Sequence, residues 1–306
     1  MALLIGNNRL NLKNQEFDQP TLRSLWLEGI DWLNKTSVSN STLESELLLR
    51  AAFGLDKSRF YAQLSDVFTG NGLTLFNKLI QRRMSGEPLP YILGRKEFYG
   101  LEFLVSKTVL IPRPETELLV DLALHKIEKK YGSFIADIGT GSGCLAVSIA
   151  THSDIKKIVA VDKSFDALKI ASQNLAVHGL SEVIDLVNAD LLTSFERNVK
   201  FDLIVSNPPY LPDAIYQTLD PEIKSEPKVA IHGGHDGLET IRRLVDQASL
   251  NLSRHGVFLF EVFSDFSNEA SSIAAQSFPN ANVVIHNDLL GLPRVVEVSS
   301  ISSIKY

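Results

Sequence analysis

The chain has 306 residues, 44% of them apolar and 22% charged, a globular composition long enough for one large domain or two ordinary ones. A formal net charge of −6 excludes a protein that grips nucleic acid through bulk positive charge, so no direct nucleic-acid partner is expected. One cysteine, Cys144, excludes an intrachain disulfide framework and a cysteine-rich zinc site, and no apolar run reaches membrane-spanning length.

Residues 1–9 carry too short an apolar run for a signal peptide and lack a basic start, so a soluble cytoplasmic protein with no membrane partner is expected. Residues from about 19 to 85 read as short helices. Ser41 and Glu44 have capping-box spacing, with Leu43 and Leu47 following at helical intervals. Leu75, Leu79 and Ile80 mark a further helix. Basic and acidic side chains nearly balance over residues 1–90, which leaves the rest of the chain acidic. A helical domain over 1–90 is the reading.

Residues 91–113 change character. Phe98–Val105 and Thr108–Ile111 are rich in β-formers and are joined by Ser106-Lys107, which predicts a β-hairpin linker. Pro112–Glu117 then opens a helix, with proline and acids in its first turn.

From residue 114 to 306 helices and strands alternate. Candidate strands are Phe134–Ile138, Ile158–Val161, Val183–Val187, Phe201–Ser206, Val257–Val262, Ala281–Ile285 and Val295–Val298. Such alternation implies an α/β fold with a mostly parallel sheet covered on both faces. The last two strands leave no room for a helix between them and should pair antiparallel at one edge.

The chemistry gathers at the carboxyl ends of these strands, where open α/β sheets bind ligands. Asp137-Ile138-Gly139-Thr140-Gly141-Ser142-Gly143 leads from the first sheet strand into a helix. It lacks the lysine of a phosphate loop and misses the dinucleotide spacing. The acid before the first glycine suits a cofactor with a cationic amino-acid part, as in S-adenosylmethionine (SAM). Asp162 ends the next strand, placed to accept both ribose hydroxyls. Asp190 follows the third, placed to accept from an adenine amino group, with Leu191 against the ring. Asn207-Pro208-Pro209-Tyr210 ends the fourth. Two prolines cannot continue a central strand, so Asn207 is presented at its end. A strand-ending turn is the plainer reading of those four residues. The chemical reading is an amide oxygen and an aromatic face set to hold a planar nitrogen group.

These residues together resemble class I SAM-dependent methyltransferases, and Asn-Pro-Pro-Tyr resembles the motif of those that methylate an amide or exocyclic amino nitrogen. Gly86–Gly94, Glu97–Gly100, Leu110–Glu117, Glu226-Pro227, Gly233–Leu238 and Asp288-Leu289 with Gly291 and Arg294-Val295 are similar to the peptide chain release factor glutamine methyltransferase family, HemK/PrmC. The likeness covers about residues 20–300. It implies a seven-stranded Rossmann-like methyltransferase domain over 114–306, a hairpin linker over 91–113 and a helical substrate-docking domain over 1–90. The implied reaction moves a methyl group from SAM to the side-chain N5 of the glutamine in the Gly-Gly-Gln loop of class I release factors, with S-adenosylhomocysteine as product and a monomer as the working form. Asn207, Pro208, Pro209 and Tyr210 would form the catalytic clamp. Gly139, Thr140, Gly141, Ser142, Gly143, Asp162, Asp190, Leu191, Asn207, Arg113 and Thr116 would hold the cofactor, the last two shaping its methionine end. Leu191 departs from members that carry an aromatic residue there. An adenine-N6 methyltransferase acting on DNA or RNA is the alternative, and a SAM-sensing binding module is a more distant one. His232 and His235 lie on a glycine-rich loop without a third ligand, so no metal is assigned. Cys144 reads as a small core residue.

Overall fold

The computed structural model describes residues 19–127 and 134–300; residues 1–9, considered above as a possible leader, lie outside the described residues. The chain divides into two compact units, one ending at Leu93 and one beginning at Gly94.

The first unit contains α1 (Leu22–Leu33), α2 (Ser41–Phe53), α3 (Lys57–Ala62), α4 (Asn71–Met84) and α5 (Leu89–Leu93). Its core is built from Leu22, Leu25, Leu48, Leu49, Phe60, Phe76 and Ile80, all buried. The predicted capping box does not form. Asn40, as good an N-cap as serine, accepts from Leu43 N at 3.1 Å, and Ser41 becomes the first helical residue, its hydroxyl donating to Asn34 Oδ1 at 2.6 Å. Glu44 is drawn instead to the buried guanidinium of Arg83 on α4.

The second unit opens with a hairpin shorter and earlier than expected. Its strands are β1 (Arg95–Phe98) and β2 (Leu101–Leu104). Tyr99 and Gly100 turn the chain with φ of 52° and 71°, the paired positive values that suit a two-residue hairpin turn. Thr108–Ile111 is therefore not the second strand. Val109 N turns back to Ser106 O, and the Ile111 N–H is satisfied by Glu226 Oε2 at 3.0 Å rather than by a ladder.

A one-turn helix, Pro114–Thr116, leads into α6 (Glu117–Ile127), and a seven-stranded sheet follows: β3 (Ile135–Ile138), β4 (Ile158–Asp162), β5 (Ile184–Asn188), β6 (Phe201–Ser206), β7 (Leu252–Glu261), β8 (Ala281–Asn287) and β9 (Pro293–Ser300). The order is β5-β4-β3-β6-β7-β9-β8. Pairing is parallel except at β9, which runs antiparallel to both β7 and the edge strand β8. Side chains alternate between two cores. Ile135, Ile158, Leu203 and Leu259 face α6, α7 (Cys144–Thr151) and α8 (Phe165–Val177). Ala136, Val159, Ile204, Phe258 and Phe260 face α12 (Glu239–Asn251) and α13 (Ser267–Ser277). Three short helices, α9 (Asp213–Thr218), α10 (Pro221–Lys224) and α11 (Lys228–Ile231), fill the path from β6 to α12. The chain winds from β3 out to β5 and returns to lay β6 against β3. That reversal opens a crevice at the carboxyl ends of β3 and β6, where the glycine loop and Asn207 meet. No described helix is long and apolar enough to cross a membrane.

Candidate active site

The glycine loop is a strand-to-helix turn that only glycine makes cheaply. Gly139, Gly141 and Gly143 have φ of 75°, 56° and 82°, and Gly143 caps α7. Gly139 N and Thr140 N both donate to Val161 O, tying the loop to β4. Below it lies Asp137, fully buried. Its Oδ2 accepts from the Thr140 hydroxyl at 2.6 Å and from Ala146 N at 3.2 Å, while Oδ1 has no hydrogen-bond partner among the described residues. Burial pushes this carboxyl up to about 7, against the pull of the Thr140 and Ala146 hydrogen bonds, and the charge of Asp162 adds to the rise.

Asp162 ends β4 as expected. Its Oδ2 accepts from Gly141 N at 2.9 Å and its Oδ1 from Ser164 N at 2.8 Å, so the acid braces the loop and the start of α8 together. Desolvation raises its pKa; those two bonds oppose the rise. Each oxygen keeps lone-pair capacity for a ligand hydroxyl. Asp190 is held by a residue that sequence reasoning missed, since Arg243 of α12 donates to its Oδ2 at 2.7 Å. One turn further along α12, Gln247 accepts from Leu192 N at 2.8 Å. Between them Leu191 sits at φ 57°, a strained backbone for a leucine.

A cleft partly open to solvent is lined by Gly139, Thr140, Gly141, Ser142, Asp162, Asp190, Leu191, Arg113, Thr116 and Asn207, together with Cys144, Leu145 and Arg243. Apolar walls with Asp162 and Asp190 among them fit an adenosine, while Asp137 lies buried beneath the glycine loop and does not line the cleft. Gly143 and Pro208 do not line this cleft. Gly143 shapes the turn from behind, packed towards Ala171 and Leu175. Cys144 packs against the core while touching the cleft, and burial pushes its thiol up to about 12.

A second cleft adjoins the first, sharing Leu110, Arg113, Asn207, Pro209 and Ala230 with it. Glu115, Pro208, Tyr210, Leu211, Ile215, Leu219, Ile223, Ile231, Phe263, Glu261 and Arg294 complete its walls. Asn207 therefore stands where the two clefts meet. Its Nδ2 donates to Thr116 Oγ1 at 3.0 Å, and Thr116 donates to Glu261 Oε2 at 2.7 Å. The other oxygen of Glu261 accepts from the Tyr210 hydroxyl at 2.9 Å, and the Tyr210 ring stacks on Phe263. Burial raises the pKa of Glu261, while the hydrogen bonds from Thr116 and Tyr210 and the charge of Arg294 oppose the rise. Tyr210 is raised well above its ordinary value by burial and by Glu261, which keeps its hydroxyl neutral.

Glu261 and Asn174 were also unforeseen, and Glu226, read only as part of a family-like motif, was given no role. Glu261, the last residue of β7, follows the same strand-end rule as the other four sites. Glu226 binds both Ile111 N and the Arg113 guanidinium, so Arg113 reaches the clefts already paired. Asn174 of α8, fully buried, accepts from Leu104 N at 2.7 Å and donates to Ser142 O at 2.8 Å, joining β2 to the glycine loop. His232 pairs with Asp213 at 2.7 Å and His235 is exposed.

Fold and site define a methyltransferase of the open α/β type. A methyltransferase small-domain model matches residues 115–219, and a model of the PrmC N-terminal domain matches 24–94. The chain is 36% identical to a release factor glutamine methyltransferase of Koribacter versatilis over 90% of this chain and 97% of that one, and 39% identical to one of Geobacter sulfurreducens over 78% and 81%. It belongs to the release factor glutamine methyltransferase family. The fold is also that of the hMettl16 catalytic domain in complex with MAT2A 3'UTR hairpin 6, with a TM-score of 0.53, 15% identity, and 67% and 77% of the two chains covered.

Proposed function

We propose that this protein methylates the side-chain N5 of the glutamine in the Gly-Gly-Gln loop of class I release factors, working as a monomer in the cytoplasm. The observation that supports it best is Asn207 at the junction of two clefts, its NH2 engaged by Thr116 and its oxygen thereby left for an acceptor. The near full-length relatives named for that reaction support the choice of acceptor. SAM, when bound, supplies an electrophilic methyl group on a sulfonium sulfur and leaves as S-adenosylhomocysteine.

The glycine loop (Gly139–Gly143), Asp162, Asp190 and Leu191 hold the cofactor, with Arg113 and Thr116 towards its methionine end. An amide nitrogen is a poor nucleophile because its lone pair is delocalised, so geometry matters more than a strong base. Asn207 Oδ1 and the Pro208 carbonyl accept the two amide hydrogens. Both hydrogens held in this way, developing lone-pair density on nitrogen is directed at the methyl group, and positioning of this kind contributes several kcal/mol. Both acceptor dipoles also stabilise the positive charge that grows on nitrogen. Pro209 stiffens the turn, and Tyr210, fixed by Glu261 and Phe263, packs on the flat amide. The new C–N bond leaves nitrogen positive and acidic, and its proton departs to water. The helical unit docks the release factor. An adenine-N6 activity on DNA or RNA is less favoured, because phosphate contacts need a basic surface that the acidic chain does not provide. Labelled SAM offered with purified release factor or with duplex DNA separates the two. Label on the factor is expected; label on DNA alone contradicts the reading.

A further inference from the structure

We propose that Thr116 and Glu261 act as positioning residues that dictate which way the Asn207 amide faces. The inference rests on the proposed function, since it concerns how that reaction's acceptor is held. The oxygen and nitrogen of an asparagine amide are nearly the same size, and the torsion that exchanges them is soft. Packing alone cannot choose between the two orientations. Facing the acceptor with NH2 instead of oxygen would set donor against donor and remove half of the clamp.

Hydrogen-bond direction makes the choice. Glu261 is 1% exposed, and the hydroxyls of Thr116 and Tyr210 together with the charge of Arg294 favour its ionised form, which can only accept. It takes the Tyr210 hydroxyl on Oε1 and the Thr116 hydroxyl on Oε2, at 2.9 and 2.7 Å. Thr116 has one hydroxyl hydrogen, and once that is given to Glu261 its oxygen can only accept. At 3.0 Å, Asn207 must therefore present NH2 to it. Oδ1 is then fixed on the opposite side of the amide. Thr116 is itself 2% exposed, so bulk water does not compete for these bonds. One carboxylate at the end of β7 thus orders both polar side chains of the Asn207–Tyr210 segment. Thr116 belongs to the turn before α6, where the family resemblance implied a cofactor contact. It lines the first cleft, and its hydroxyl is engaged in the chain of bonds behind Asn207.

The test compares two substitutions in the intact protein. Thr116→Val keeps the shape and loses the hydroxyl; Thr116→Ser keeps the hydroxyl and loses a methyl group. With SAM and a release factor carrying its Gly-Gly-Gln loop, Thr116→Val should lower kcat by about 100-fold while KM for the factor stays within about threefold. Thr116→Ser should stay within about threefold of the unsubstituted kcat, and calorimetry should show SAM bound by both variants. A packing role for Thr116 predicts the reverse order, so valine turning over as fast as serine overturns the proposal. A second readout needs no acceptor. In 15N-labelled protein the Asn207 side-chain NH2 should give the same two proton shifts with Thr or Ser at 116 and altered shifts with Val. Unchanged shifts in all three overturn the relay whatever the turnover shows. Failure of the unsubstituted enzyme to methylate the factor would instead count against the function.

Discussion

Gly233 packs against the backbone of the Asn207–Tyr210 segment: a Cβ at that position would lie 2.8 Å from the Pro209 carbonyl oxygen and 2.5 Å from that of Gly237. Backbone on both sides leaves nothing flexible to yield. Its own N–H bonds to Leu211 O at 2.9 Å, so the contact is also pinned. Gly233→Ala should cost about 1–3 kcal/mol of stability through overpacking and displace the clamp. A melting temperature lowered by several degrees and a kcat lowered by about tenfold or more, with SAM affinity close to unchanged, are the expected readings from calorimetry and steady-state kinetics.

Asn207→Ala removes the acceptor oxygen but keeps the cleft beneath it. Turnover should fall by about 1000-fold while SAM still binds with near-normal affinity, as measured by calorimetry. Near-normal turnover on a release factor would show that Asn207 is not the clamp.

Arg243 and Gln247 hold the strained Asp190–Leu192 turn from α12. The Arg243–Asp190 pair is half exposed and contributes little to global stability. Its effect should be local to the adenosine end. Arg243→Ala should raise KM for SAM by about three- to tenfold and leave kcat at saturating SAM within about twofold, the pattern of lost uniform binding. An equal fall in kcat would place Arg243 in the chemistry instead.

Asp137 gives a pH dependence with a definite sign. Its carboxyl stands at about 7 in the folded chain against an ordinary 3.8, so the folded state keeps this proton longer than the unfolded one. The stability this contributes is complete below about pH 4 and is lost as pH rises through 7. Asp137→Asn, which cannot ionise, should therefore melt several degrees above the unsubstituted protein at pH 8 in the absence of SAM, and the gap should close towards pH 4. The charge also lies beneath the glycine loop, where a cationic ligand gains from it. SAM affinity should rise through pH 7 in the unsubstituted protein and stay flat in Asp137→Asn. Thermal melts and calorimetry at a series of pH values measure both.

The strand ends were the most readable part of the sequence. Asp162 and Asn207 follow apolar runs whose length and β-branched content define buried strands, Asp190 follows the half-buried edge strand β5, and parallel pairing brings such ends to one rim. Glu261 obeys the same rule, an acid closing the run Val257–Phe260, and could have been found by applying it to a fifth strand. Arg243, Glu226 and Asn174 carry no such signal. Each reaches a partner 53 to 113 residues away, and pairings of that separation depend on how helices are laid across the sheet. The hairpin slipped for a local reason: Tyr99-Gly100 turns the chain where tyrosine at positive φ is unusual, and the buried Val109 and Ile111 imitate a strand while their loop is held by Glu226.

The central claim is that the acceptor is a glutamine side chain held by Asn207. Incubation of the protein with SAM and a class I release factor, followed by fragmentation mass spectrometry of the Gly-Gly-Gln peptide, tests it most directly. One methyl group on the glutamine side chain, absent when Asn207→Ala is used, is the predicted result. A Gly-Gly-Gln peptide that stays unmodified in the presence of enzyme shown to bind SAM, or a methyl group at another residue, would contradict the account.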